Sequence, residues 1–261
     1  ALFFMMGMGV FGQGFVGKLA FPSANVSDRL EKTFTSVNFN MMIMVIYALI
    51  TIAIFGMWYY ARYEGNFLPS PKKTFNPMMI VAIVILVPGT QFAANFIANL
   101  TGYIRPDWLQ QYNELFETSG ITDTTFVTVL YSVILAPICE ELIFRGVTMR
   151  CARKALPFAL ANLIQAALFG LFHLNWIQGI YAFALGIVLG YVCERGGSIY
   201  YSMGLHLLFN LWGTLSGFFP DPGNSVVVFV IVIAVTIVSL VVGFVLFNKG
   251  RRKLPINSTG I

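Results

Sequence analysis

From Ser225 to Phe247 the chain runs for twenty-three residues without a single charge. Wound as a helix at ~1.5 Å per residue, such a run is long enough to cross the ~30 Å hydrocarbon core of a bilayer. Seven further apolar stretches accompany it, at about 2–17, 40–60, 78–99, 125–148, 156–174, 177–193 and 198–217. The pattern predicts an all-α fold: a polytopic transmembrane helix bundle of about eight spans, forming a single integral membrane domain over residues 1–261. Nothing in it marks a second domain, an internal repeat or a low-complexity segment.

Composition agrees. The chain is 57% hydrophobic and 10% charged, against roughly 25% charged in an ordinary soluble domain. Its 25 Phe and 24 Gly supply bulk to meet lipid and small residues that let helices approach closely. The net charge of +5 is not a nucleic-acid signal, because Lys and Arg lie mostly between the apolar stretches. Counted by alternate loops, eleven stand on one side (Arg62, Lys72, Lys73, Arg150, Arg153, Lys154, Arg195, Lys249, Arg251, Arg252, Lys253) and four on the other (Lys18, Arg29, Lys32, Arg105). That bias predicts a multi-pass protein with both termini cytoplasmic, and loss of the first stretch would leave the other spans oriented as before. The first stretch is short, starts at Ala1 and lacks a positively charged flank, so a trimmed start and a signal peptide both stay open.

Two connectors read as interfacial. After Asp28, which could cap a helix with Glu31 three residues on, Leu30, Phe34 and Val37 share a face. After Pro106, Trp108, Tyr112, Leu115 and Phe116 do the same, with Asp107, Glu114 and Glu117 elsewhere. Each could lie flat on the membrane; a plain connector with an apolar underside is the reading preferred over a substrate gate. Cys139, Cys151 and Cys193 show no C-x-x-C spacing and lie in or beside apolar runs, which predicts buried thiols rather than metal ligands or disulfides.

The chemistry concentrates between 136 and 210. Residues 139–145 read Cys-Glu-Glu-Leu-Ile-Phe-Arg inside an apolar segment, and an ionisable group at membrane depth is a functional hypothesis by default. On a helix, Glu141 and Arg145 are four apart with the acid first, so they face one way and can pair. Glu140 is about 100° around the axis and escapes that pairing, leaving it as a candidate general base. Pro137, one turn earlier, removes a backbone hydrogen bond and can open the helix beside Glu140. A buried ion network that only holds helices together is the competing reading.

Both histidines of the chain, His173 and His206, also fall in apolar segments. A basic turn near 154–156 folds the fourth and fifth spans into a hairpin. Glu140 then lies about 14 residues before the turn and His173 about 17 after it, which puts both roughly 21 to 26 Å from it at ~1.5 Å per residue. His206 and Asn210 are four apart and share a face, roughly 12 to 20 Å from the same side.

Glu140-Glu141-x-x-x-Arg145, then Phe169-x-x-x-His173, then His206-x-x-x-Asn210, in that order on successive spans, resembles the CPBP family, also called Abi. That family comprises type II CAAX prenyl endopeptidases and bacteriocin-immunity-related membrane proteases. The resemblance covers about residues 125–215 and includes the flanking Phe144-Arg145-Gly146. It implies an intramembrane glutamate-type endopeptidase, CAAX prenyl protease 2-like, with no cofactor. Glu140 would activate a water, His173 would help hold it, His206 and Asn210 would donate hydrogen bonds to the oxyanion, and Glu141 and Arg145 would support the site. The implied partners are membrane lipid and a peptide or lipidated protein substrate: the CAAX region of a prenylated protein, or a peptide precursor.

Other readings stay open. Two His and a Glu could form a zinc site with a free position for water, although no H-E-x-x-H is present. Intramembrane Glu and His also carry ions in transporters, and a family member can serve as a non-catalytic immunity or scaffold protein. If the basic turns are cytoplasmic, the chamber lies at or beyond the bilayer midplane from that side, so a cytoplasmic prenylated substrate would need a deep cavity.

Overall fold

The computed structural model describes residues 25, 28, 37–64, 76–119, 125–216 and 225–251. Within these there is no strand, and the helices follow in chain order. They are α1 (Val37–Tyr59, continued by a π-helical turn over Tyr60–Glu64), α2 (Pro77–Ile104), α3 (Pro106–Ser119), α4 (Phe126–Arg153), α5 (Phe158–Phe172), α6 (Trp176–Gly196), α7 (Ile199–Ser216) and α8 (Val226–Gly250). Five of them, α1, α2, α4, α6 and α8, are long and apolar enough to cross a membrane, and the protein is an integral membrane protein. Seven of the apolar stretches coincide with helices. The stretch at 2–17 and the connector after Asp28, with Glu31, Leu30 and Phe34, lie outside the described residues, as do the side chains of Val37, Phe116 and Glu117.

The second helix is the hub. It packs along α8 and against α6 and α7, and its buried Met79, Ala82, Ile83, Leu86 and Val87 form the centre of the main apolar core. Pro88 interrupts its backbone ladder, and Ser239 of α8 enters the gap. The Ser239 hydroxyl donates to the Ile85 carbonyl and accepts from the Gly89 N–H at 2.8 Å, a side-chain insertion of the kind that bends helices. At the base of the bundle Asn76 caps α2 by accepting from the Met78 N–H at 2.9 Å. Its side-chain amide donates to the Gly250 carbonyl at 2.6 Å, and its backbone N–H donates to the Tyr201 hydroxyl at 2.8 Å. One asparagine thus ties α2, α7 and α8 together.

The α3 segment is the amphipathic helix expected after Pro106, but its underside turns onto the bundle. Trp108 stacks on Trp176 at the start of α6, with ring centroids 5.3 Å apart, and Tyr112 meets Tyr181 one helix turn and more further along α6. Burial there pushes the Tyr112 hydroxyl above its usual range. Asp107 stays in solvent, where hydrogen bonds from Arg105 at 2.9 and 2.6 Å hold its carboxyl below the usual carboxylate range. Cysteine placement needs one correction: Cys139 and Cys193 are buried free thiols, whereas Cys151 is exposed, because the last turn of α4 emerges from the bundle.

Candidate active site

The α4 helix is not uniform. Short α-helical pieces at Phe126–Val129, Ala136–Glu141 and Arg150–Arg153 alternate with π-helical stretches at Leu130–Leu135 and Leu142–Met149. The turn that carries both glutamates is therefore bracketed by two widened ones, and π turns within α-helices recur at functional sites. The register explains one contact. The Ala136 N–H bonds the Tyr131 carbonyl five residues back, and the next bond of that series would run from residue 137 to the Ser132 carbonyl. Proline has no N–H to offer. The Ser132 carbonyl instead accepts from Asn210 Nδ2 at 2.8 Å, so Pro137 frees the acceptor that docks α7 onto α4. Asn210 keeps a second Nδ2 hydrogen beyond this bond.

Glu141 and Arg145 pair as their spacing predicts. Arg145 Nη1 donates to Glu141 Oε1 at 2.8 Å, and both side chains are fully buried. The guanidinium also donates through Nη2 to the Gly186 carbonyl at 3.3 Å and lies 4.5 Å over the Phe169 ring, a cation–π contact in a desolvated setting. That carbonyl is within reach because α5 and α6 pack closely. A Cβ on Gly186 would come within 3.1 Å of Ala166, and a Cβ on Gly170 within 2.5 Å of the Gly179 carbonyl, the close approach that small residues permit in membrane bundles. Gln165 Nε2 donates to the same Gly186 carbonyl at 2.8 Å and to Asn162 Oδ1 at 2.7 Å.

His206 stands between the two carboxylates. Its Nδ1 is 2.9 Å from Glu141 Oε1, the oxygen that Arg145 already holds, and its Nε2 is 3.6 Å from Glu140 Oε2. Glu140 makes no bond to the guanidinium, and its side chain retains 15% exposure where that of Glu141 has none. The neighbouring acids thus sit in different surroundings, one sealed against Arg145 and one facing His206. Ser202, a turn before His206, lies beside the Glu141 carboxylate.

The other sequence candidates are placed less directly. His173 is not inside a helix: it is the C-cap of α5, whose fifteen residues end short of a full span, and it precedes Leu174 in the left-handed region at φ 55°. Its Nδ1 is 2.8 Å from the Phe169 carbonyl. His173 forms no hydrogen bond or ion pair with Glu140 among the described residues; it meets the cluster through Phe169. The Phe169 ring packs edge-on against His173 at 4.9 Å and against His206 at 5.7 Å between centroids. The motif spacing marks Phe169 as a neighbour of His173 but not as the ring shared by both imidazoles and Arg145. The Ser132 and Gly186 carbonyls also went unmarked, since no side-chain pattern announces them. Within the described residues no three His, Cys, Asp or Glu side chains are arranged to hold a metal ion.

No curated protein and no solved structure matches the chain. The matching family model is type II CAAX prenyl endopeptidase Rce1-like, over residues 122–212. That stretch contains every site residue from Glu140 to Asn210, so the similarity, which is to a CPBP/Abi-type family of intramembrane proteases, falls on the part of the chain that builds the site.

Proposed function

We propose that the protein is an intramembrane endopeptidase in which Glu140 activates a water for attack on a peptide carbonyl. The observation that carries this reading is the split between adjacent acids. Glu141 is fully buried and held by Arg145, while Glu140 lies outside that pair, partly accessible and 3.6 Å from His206. A carboxylate not committed to a cation can accept a water proton. His173 would help hold the water. Its Nδ1 must donate to the Phe169 carbonyl, so in the neutral ring Nε2 carries a lone pair that can accept from water. Asn210 and His206 would stabilise the oxyanion in a site where each donor counts for more than in water. The substrate class is a membrane-associated peptide or lipidated protein, with the C-terminal CAAX region of prenylated proteins and peptide precursors as the two candidates, and no cofactor takes part.

The test is Glu140→Gln, reconstituted in liposomes and assayed on a lipidated CAAX-type peptide and on an unlipidated one of the same sequence. The amide keeps the shape and cannot take the proton, so cleavage should disappear while the thermal unfolding profile stays that of the parent. Full turnover by the variant on either peptide would remove Glu140 from the chemistry.

A further inference from the structure

Both imidazoles are committed at the same nitrogen. A carbonyl oxygen accepts His173 Nδ1 at 2.8 Å and a carboxylate oxygen accepts His206 Nδ1 at 2.9 Å. Neither oxygen can donate, so in each neutral ring the proton sits on Nδ1 and Nε2 is bare. For His206 the acceptor is itself anchored. Glu141 Oε1 is held by Arg145 at 2.8 Å, and the carboxylate and guanidinium are both fully buried, so this acceptor cannot swing away. The bare Nε2 of His206 points to Glu140 Oε2 at 3.6 Å, a separation that a slight side-chain movement or one bridging water closes.

This arrangement bears on the proton that peptide hydrolysis must move. When water attacks, one O–H bond breaks, the oxygen bonds to the carbonyl carbon, and the proton passes to the Glu140 carboxylate. When the C–N bond breaks, its electron pair goes to nitrogen, which must then take a proton. A neutral His206 with bare Nε2 cannot donate to the oxyanion, but it becomes a donor once it has received the water-derived proton. We propose that Glu141 is the positioning residue of His206: it holds the ring as the Nδ1–H tautomer, so that Nε2 takes this proton from Glu140 and returns it to the leaving amine. Between these events the ring is an imidazolium, and its Nε2–H faces the tetrahedral oxygen while that oxygen carries its charge. Charge is conserved throughout, and no co-reactant beyond water is required. The inference rests on the peptidase reading for its role and on the Glu141 contact for its tautomer.

The tautomer can be read without a substrate. The chain has two histidines, so the full-length protein labelled with 15N-histidine and placed in lipid nanodiscs gives four ring-nitrogen signals, assigned with a His173→Gln variant. At a pH where the rings are neutral, His206 should show a protonated Nδ1 and a bare Nε2. Glu141→Gln, whose amide oxygen can still accept, should keep that signature, and Glu141→Leu should lose it to the Nε2–H form. A neutral His206 protonated on Nε2 in the parent protein overturns the proposal, as does an Nδ1–H signature that survives Glu141→Leu. Should Glu141→Leu fail to fold, the parent and Glu141→Gln spectra still decide. The peptidase reading stands or falls separately, on Glu140→Gln turnover.

Discussion

Replacing Arg145 by Met tests how much of the fold hangs on one buried cation. In the native protein Arg145 and Glu141 are both fully buried and 2.8 Å apart, and the guanidinium reaches Gly186 and the Phe169 ring besides. Methionine fills much of the volume but leaves the Glu141 carboxylate in the core with His206 and Ser202 beside it and no cation of Arg145's kind. Breaking a buried pair in this one-sided way costs about 3–5 kcal/mol, because a charge is left without its counter-charge. For a chain of this size that converts to a fall in melting temperature on the order of 10 °C. The buried thiols Cys139 and Cys193 supply the assay: they react with a thiol-specific fluorophore only as the bundle opens, and Cys151→Ser removes the exposed background. Two comparisons calibrate the result. Glu141→Gln together with Arg145→Met removes both charges and should recover much of the loss. Arg153→Met breaks the half-exposed Arg153–Glu194 pair at 3.2 Å, which at the surface contributes less than about 1 kcal/mol. An Arg145→Met protein that melts with the parent, or no lower than Arg153→Met, would refute the reasoning.

The remaining expectations concern activity. Asn210→Ala should lower kcat by about 10² to 10³ with little change in KM, as for one lost oxyanion donor; a defect confined to KM would return Asn210 to its tie with Ser132. His206→Ala should do at least as much harm, and the His206→Ala/Asn210→Ala double variant should lose less than the product of the two single losses, because the pair acts as a unit. Prolonged treatment with a strong chelator should leave turnover intact. Parallel loss of stoichiometric zinc and activity, both restored by added zinc, would decide for the metalloprotease reading.

Much of the scaffold was legible because lipid imposes a simple rule. Long uncharged runs such as 225–247 have few alternatives to a spanning helix, and the structure sets helices at seven of the stretches so identified. The Glu141–Arg145 pair was legible for a local reason, since four residues along a helix bring two side chains onto one face. What escaped depends on tertiary partners. The π-helical turns of α4 have no composition of their own, and the effect of Pro137 emerges only when Asn210 takes the freed carbonyl of Ser132, 78 residues before it in sequence. The apolar underside of α3 was legible from Trp108 and Tyr112, but not that those rings meet Trp176 and Tyr181, because aromatic rings look the same whether they face lipid or each other. The placement of His173 at a helix cap follows from the shortness of α5, which apolar residues running through both ends of the segment concealed.

Two adjacent glutamates suit this site for a geometric reason. Neighbours on a helix diverge by about 100°, so a cation can neutralise one without reaching the other. Here the neutralised acid has a second task, because the oxygen of Glu141 that holds Arg145 also holds His206. Bundle stability and the orientation of the imidazole therefore pass through one atom, yet they are separable. Arg145→Met removes the cation but leaves Glu141 Oε1 as an acceptor, so it should lower the melting temperature while His206 keeps its proton on Nδ1. Glu141→Leu removes both. A variant pair that shifts stability and tautomer together in both cases would mean that the buried charge balance, not the hydrogen bond at Nδ1, sets the state of the ring.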